Sequence, residues 1–204
     1  WTGTFTPTAD TEDATNTVTV ATSYTDSAGN TGAAGTSANY EVDTLAPTLT
    51  ITIASDNSDT TLAKSGDAIT LTVTASETIS ALACTIDGES ATVTGSGASW
   101  SVALTLSGDE TEGAATFSCA SHVDSAGNTG AVDTTVDSGS VTIDFTAATL
   151  TWLSIDSNNA ETSATAETAT NGDVVTLTFV GSETLSSGAG APACVFTLDG
   201  APAT

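Results

Sequence analysis

The sequence predicts an all-β protein built as a tandem array of antiparallel β-sandwiches. Three observations predict it. The heptapeptide Asp-Ser-Ala-Gly-Asn-Thr-Gly occurs at residues 26–32 and again at 124–130, 98 residues apart, which is the length of one small sandwich domain. Thr, Ser, Ala, Val and Gly dominate, whereas Met and Arg are absent and Lys occurs once, so strands and turns are favoured over helices. Apolar residues alternate with Thr in short runs, as in Leu49, Ile51 and Ile53 or Ile69, Leu71 and Val73, the period of half-buried strands.

The repeat extends beyond the heptapeptide and sets its own phase. Trp1 matches Trp100, and Asp43-Thr44-Leu45-Ala46-Pro47 matches Asp144-Phe145-Thr146-Ala147-Ala148. Gly66-Asp67-Ala68-Ile69-Thr70-Leu71 matches Gly172-Asp173-Val174-Val175-Thr176-Leu177, Ser76-Glu77-Thr78 matches Ser182-Glu183-Thr184, and Asp87-Gly88 matches Asp199-Gly200. Residues 46–145 thus read as one complete repeat. Residues 1–45 read as the back half of a preceding repeat, and 146–204 as the front half of a following one. The phase implies a window on a longer polypeptide. Each half alone would expose an apolar face and a sheet edge, so another stretch of polypeptide is expected to complete it, from the same chain or a neighbouring copy.

Within 46–145, alternation predicts strands A (48–54), B (68–75), C (81–87), C′ or D (90–94), E (100–106), F (114–123) and G (131–145, kinked). Asp87-Gly88 is expected to turn the C–D hairpin. Seven strands in about a hundred residues are the pattern of an immunoglobulin-like sandwich. The fold class expected is therefore tandem Ig-like sandwiches, one complete domain flanked by two half-domains, with strands E–G at 1–45 and A–C at 146–204. The heptapeptide becomes the F–G hairpin loop. Gly127 and Gly130 are expected to supply positive φ, while Asp124 and Asn128 bond the loop's own backbone.

The linker Tyr40-Glu41-Val42-Asp43-Thr44-Leu45-Ala46-Pro47-Thr48, the opening run Trp-Thr-Gly-Thr-Phe-Thr-Pro-Thr-Ala-Asp and the Asp-Ser-Ala-Gly-Asn-Thr-Gly loop resemble bacterial Ig-like repeats of long secreted adhesins and cell-surface filament proteins. Related repeats occur in extracellular filaments, including those of eukaryotic flagellar hairs. The resemblance implies a stalk that holds a binding domain away from a cell, with neighbouring repeats or further copies as its partners. One departure is Ala148 in the place of Pro47, which implies a less rigid second junction.

Cys84 and Cys119 are expected to point inward from strands C and F, which neighbour each other in an Ig-like sheet, so a cross-strand disulfide fits. It would imply an oxidising compartment. Three buried, inert thiols are the alternative. Cys194 takes the place of Cys84 in the following repeat, and the first repeat has Val20-Ala21 at the Cys119 level.

The chain carries 25 acidic residues against one lysine, a net charge of −24. Nothing here neutralises phosphates, which excludes nucleic acid as a partner. No run approaches the ~20 apolar residues of a membrane helix, and no Asn-X-Ser/Thr sequon is present. Solubility by self-repulsion is one reading of the acidity. Structural Ca2+ is the other, because that ion takes six to eight oxygens, several from carboxylates. In Ig-like packing the first junction would gather Asp10, Glu12, Asp13 and Asp43 towards Glu77, Asp124 and Asn128. The second would gather Asp109, Glu110, Glu112 and Asp144 near Glu183.

His122 is the lone histidine, with no partner at zinc-ligand spacing and no placed nucleophile for a triad. The acids recur with the repeat, as scaffold features do, so no enzyme is expected. Trp1, Trp100 and Trp152 read as core positions rather than a sugar-stacking platform. The function expected is a structural repeat segment of an extracellular stalk, adhesin or filament. A glycan- or protein-binding module acting through its loops is the alternative.

Overall fold

The computed structural model describes residues 1–159, 168–185, 191–195, 197–198 and 201–202. All regular structure among them is β, in multiple antiparallel sheets consistent with an Ig-like sandwich. Among the described residues, no helix is long and apolar enough to cross a membrane. The chain divides into two units, Trp1–Phe145 and Thr146–Thr204, described separately below. The Asp199-Gly200 turn expected from sequence lies outside the described residues.

The first unit opens with residues 1–8, which are exposed and outside regular structure. Two short hairpin ladders follow. β1 (Glu12–Asn16) pairs antiparallel with β4 (Tyr40–Asp43), and β2 (Thr19–Val20) with β3 (Gly35–Thr36). The remaining strands of this unit are β5 (Leu49–Ser55), β6 (Leu62–Ala63), β7 (Ala68–Ile86), β8 (Glu89–Ser90), β9 (Thr92–Thr105), β10 (Gly113–Ala114), β11 (Phe117–Asp124) and β12 (Thr142–Ile143).

β7 organises this part of the fold. Its first stretch pairs with β5 on one side and β9 on the other, placing Val73 opposite both Ile51 and Trp100. Its second stretch pairs with β11 and β8. The Thr-rich alternation puts Ile51, Ile69, Leu71, Val73 and Val102 inside with Thr52, Thr72 and Thr74 outside. Phe117, Cys119, Val141 and Ile143 belong to the same core cluster.

Four boundaries differ from the sequence reading. Strands 68–75 and 81–87 are one element, because no Gly or Pro interrupts 68–86 and Ser76 continues pairing through its amide to the Thr48 carbonyl. Glu77 therefore sits on a strand, not in a loop. Strands 90–94 and 100–106 merge across positive-φ Gly95 and Gly97, and Gly95 lies so close to the backbone of Ser99 that no Cβ fits. Strand 114–123 splits into β10 and β11. The run 131–145 breaks into pieces: Asp133 bonds Cys119 antiparallel, Ser138 runs parallel to Thr52, and β12 pairs with β10 and with β6. Gly139 makes the kink, with φ 88° and a site where a Cβ would lie 2.3 Å from the Ile53 carbonyl. The Asp87-Gly88 turn forms as expected, both residues at positive φ, between the pairs Ile86–Glu89 and Thr85–Ser90.

The second unit contains β13 (Leu150–Ser157) paired antiparallel with β14 (Val175–Gly181), and β15 (Thr197–Leu198) paired with β16 (Ala201–Pro202). Its main ladder repeats that of the first unit. Ile155 faces Leu177 and Leu153 faces Phe179, as Ile53 faces Leu71 and Ile51 faces Val73.

Candidate functional site

The heptapeptide forms the same loop twice. In the second copy the Asp124 carboxylate accepts the Gly127 and Asn128 amides at 2.7 and 2.8 Å, and Asn128 Nδ2 donates to its other oxygen at 2.8 Å. In the first copy Asp26 accepts the Ala28 and Asn30 amides at 2.9 and 2.8 Å, and Asn30 Nδ2 at 2.8 Å. Gly127 and Gly29 take the positive φ that closes the turn.

Gly130 corrects the sequence reading, since its φ is not in the left-handed region. Its small size serves packing. A Cβ there would strike the His122 ring and the Pro47 carbonyl, and at Gly32 it would strike the Tyr24 ring. Each copy thus lays the ring two residues before the loop onto the loop's last glycine. His122 is buried, and its Nδ1 has no hydrogen-bond partner among the described residues.

The second loop meets the end of β4. Asn128 Nδ2 donates to the Asp43 carboxylate at 3.2 Å and the Asp43 carbonyl at 3.3 Å. Asp43, Glu77 and Asp124 each bring a carboxylate oxygen to within 4.8 Å of one another. Burial pushes the Glu77 carboxyl up, and the charges of Asp124, Asp43 and Glu12 push it further. Burial also acts to raise Asp124, but hydrogen bonds from the Asn128 side chain and from the Asn128, Gly127 and Ala126 amides outweigh it and hold this carboxyl below its usual range.

The other sequence candidates take different places. Glu12 pairs with Asp43 across the β1–β4 ladder. Asp13 accepts the Thr15 amide, and Asp10 lies exposed on a bend at φ 54°. Glu110 accepts the Ser107 and Gly108 amides, which overcome its burial and hold its pKa at about 2. Glu112 accepts the Phe145 amide, Asp144 donates its amide to the Ala63 carbonyl, and Asp109 is exposed. Glu183 lies in the second unit and buries Oε1, with no hydrogen-bond partner among the described residues.

Cys84 and Cys119 face each other across β7 and β11 and form a disulfide, Cα–Cα 4.1 Å. Both are buried, whereas Cys194 is a free, exposed thiol. Trp100 packs against the core and donates Nε1 to the Gly97 carbonyl. Trp1 and Trp152 are exposed, against the expectation of core positions; a register shift between Leu150 and Trp152 puts Trp152 opposite Val180, on the other face of the strand from Leu153 and Ile155.

Two structural carboxylates lie outside the acids that the sequence singled out as ligands. Asp67 accepts Lys64 Nζ at 2.6 Å, the Lys64 amide and Asn57 Nδ2, and its pKa falls to about 2, mainly through the Lys64 side chain. Asp137 accepts the Ile51 amide at 2.7 Å, standing in for a missing ladder partner.

Residues 1–42 match the family model of the bacterial Ig-like domain. The match spans the first heptapeptide loop and supports an Ig-like domain, a structural module of surface proteins whose family is typically non-enzymatic. No curated protein and no solved structure matches the chain. An Ig-like match and a buried disulfide are both typical of extracellular proteins.

Proposed function

We propose that this chain is a structural repeat segment of an extracellular stalk, adhesin or filament. In this reading residues 46–145 are one whole repeat, 1–45 the back half of another and 146–204 the front half of a third. The observation that carries it is duplication of scaffold. The same seven-residue loop recurs with the same Asp–Asn hydrogen bonds, and the β5–β7 ladder recurs as β13–β14, in register from Trp152 onward after a bulge between Leu150 and Trp152. Repeats of this kind add stability unit by unit through nearest-neighbour contacts.

The Asp43–Glu77–Asp124 cluster is the joint between the back half and the whole repeat. Ca2+ is the cofactor its donors suit: three hard oxygens converge, and a cation would relieve the repulsion that raises Glu77. Asn128 presents an N–H donor to the cluster, so it braces the carboxylates rather than ligating the ion. A bound cation would stiffen the joint by fixing β4 to the loop and to β7.

The test is immunogold electron microscopy of intact, unpermeabilised cells with antibody against residues 46–145. Label on projections outside the membrane is expected. Label seen only after permeabilisation would overturn the reading.

A further inference from the structure

The run that opens the 46–145 segment and the run that closes it are bonded side by side and point the same way. The Asp137 amide donates to the Ile51 carbonyl at 2.8 Å, and the Ile51 amide donates to the Asp137 carboxylate at 2.7 Å. The Ile53 amide donates to the Ser138 carbonyl at 3.1 Å, where Thr52 and Ser138 face each other in parallel. Further along, β6 and β12 pair in parallel, Leu62 with Thr142 and Ala63 with Ile143. There the Thr142 and Asp144 amides donate to the Thr61 and Ala63 carbonyls at 2.8 and 2.9 Å. Every other ladder between named strands among the described residues is antiparallel. The opening run is anchored behind by the β5–β7 ladder, from Leu49–Ala75 to Ser55–Ile69, and the closing run by β10.

The shared direction decides how a pull on the chain acts. Tension draws residue 46 back along β5 and residue 145 forward along β12. For parallel neighbours these motions are opposed, and the hydrogen bonds lie across the strands. The bonds are therefore sheared together rather than opened in turn, as they would be at the mouth of an antiparallel hairpin. We propose that runs 51–63 and 137–144 form a tension clamp, and that the Cys84–Cys119 disulfide is a stop behind it. Both cysteines lie between the two runs in sequence, so the pull reaches the bridge only after the clamp has parted. The bridge spans a separation of 35 residues, and an extended chain covers about 3.3–3.6 Å per residue, so it withholds about 120 Å of extension. A stalk built this way holds its length under load and, when one clamp yields, lengthens by a limited step.

This inference rests on the stalk reading for its purpose but fails separately from it, because it is read on single molecules rather than on cells. Single-molecule force spectroscopy is to stretch the 204-residue chain by its ends between flanking reference domains. One unfolding event is expected to release about 120 Å more chain in reductant than without it, which marks it as the 46–145 segment. A second geometry pulls between Ser65→Cys and Thr146→Cys in a Cys194→Ser chain. Those positions follow β6 and β12 at the same end of the pair, so its bonds part in turn, and a several-fold lower unfolding force is expected. Asp137→Ala removes the acceptor of the Ile51 amide. It is expected to lower the force measured through the chain ends and to leave the force between residues 65 and 146 unchanged, a split that a general loss of stability does not produce. Equal forces in the two geometries, or no unfolding event that lengthens on reduction, would overturn the proposal.

Discussion

Asn128 ties its hairpin loop to Asp43, 85 residues earlier in the chain, donating Nδ2 to both the carboxylate and the carbonyl of that residue. The same nitrogen holds Asp124. Asn128→Ala leaves a buried carboxylate short of a donor and is expected to cost about 1–3 kcal/mol in urea unfolding. Asn30→Ala, in the exposed copy of the loop, is expected to change the same midpoint by no more than about 0.5 kcal/mol.

Glu77 and Asp124 give opposite pH dependences. Glu77 is raised, so with chelator present it opposes folding as pH rises above its unfolded value of 4.5. Glu77→Gln is then expected to raise the melting temperature at pH 7 and leave it unchanged below pH 4, where the carboxyl is protonated in both states. Asp124 is lowered, so its contribution is present above 3.8 and lost as pH falls through the folded value. Asp124→Asn is expected to lower stability at pH 7 and flatten the acid limb of the profile.

The Cys84–Cys119 bridge closes a separation of 35 residues. Replacing both cysteines with Ala is expected to destabilise by about 3–4 kcal/mol in the chain-entropy account. Cys194→Ala, at a free and exposed thiol, is expected to change nothing measurable in the same denaturant titration.

Gly127 and Gly130 serve the loop for different reasons, and alanine separates them. At Gly127 (φ 99°) nothing lies within 4 Å of an added Cβ, so Gly127→Ala is expected to cost about 1 kcal/mol of backbone strain. At Gly130 the added methyl meets a buried ring and a carbonyl, and a loss above about 2 kcal/mol is expected. Adding His122→Ala to Gly130→Ala should recover part of that loss in thermal unfolding, while adding it to Gly127→Ala should not.

How much of this was legible depended on whether a residue's role is local. The Thr alternation placed Ile51, Ile53, Leu71 and Val73 inside, and the Asp87-Gly88 turn was readable because its two residues are of the types that take the positive φ it needs. The cysteine pair was readable because two inward positions fall on neighbouring strands. Glu77 was assigned to a loop because a polar Ser-Glu-Thr run resembles one, yet such residues also continue a strand when partners lie on both edges. Gly130 looked like a turn residue because sequence shows only that a side chain is missing, not whether torsion or a neighbouring ring forbids it. Of the acids assigned to the first junction, Asp43, Glu77 and Asp124 converge. Asp10 and Asp13 do not join that carboxylate cluster, since the bend at Asp10 and the Thr15 contact of Asp13 lead elsewhere.

The most direct measurement is a Ca2+ titration of the full chain by calorimetry, paired with thermal melting in Ca2+ and in chelator. A saturable heat and a higher melting temperature in Ca2+ are expected, both abolished by Glu77→Gln and both retained in a Glu112→Gln control. No heat and an unchanged melting temperature in the wild-type chain would contradict a cation-held joint at Asp43, Glu77 and Asp124.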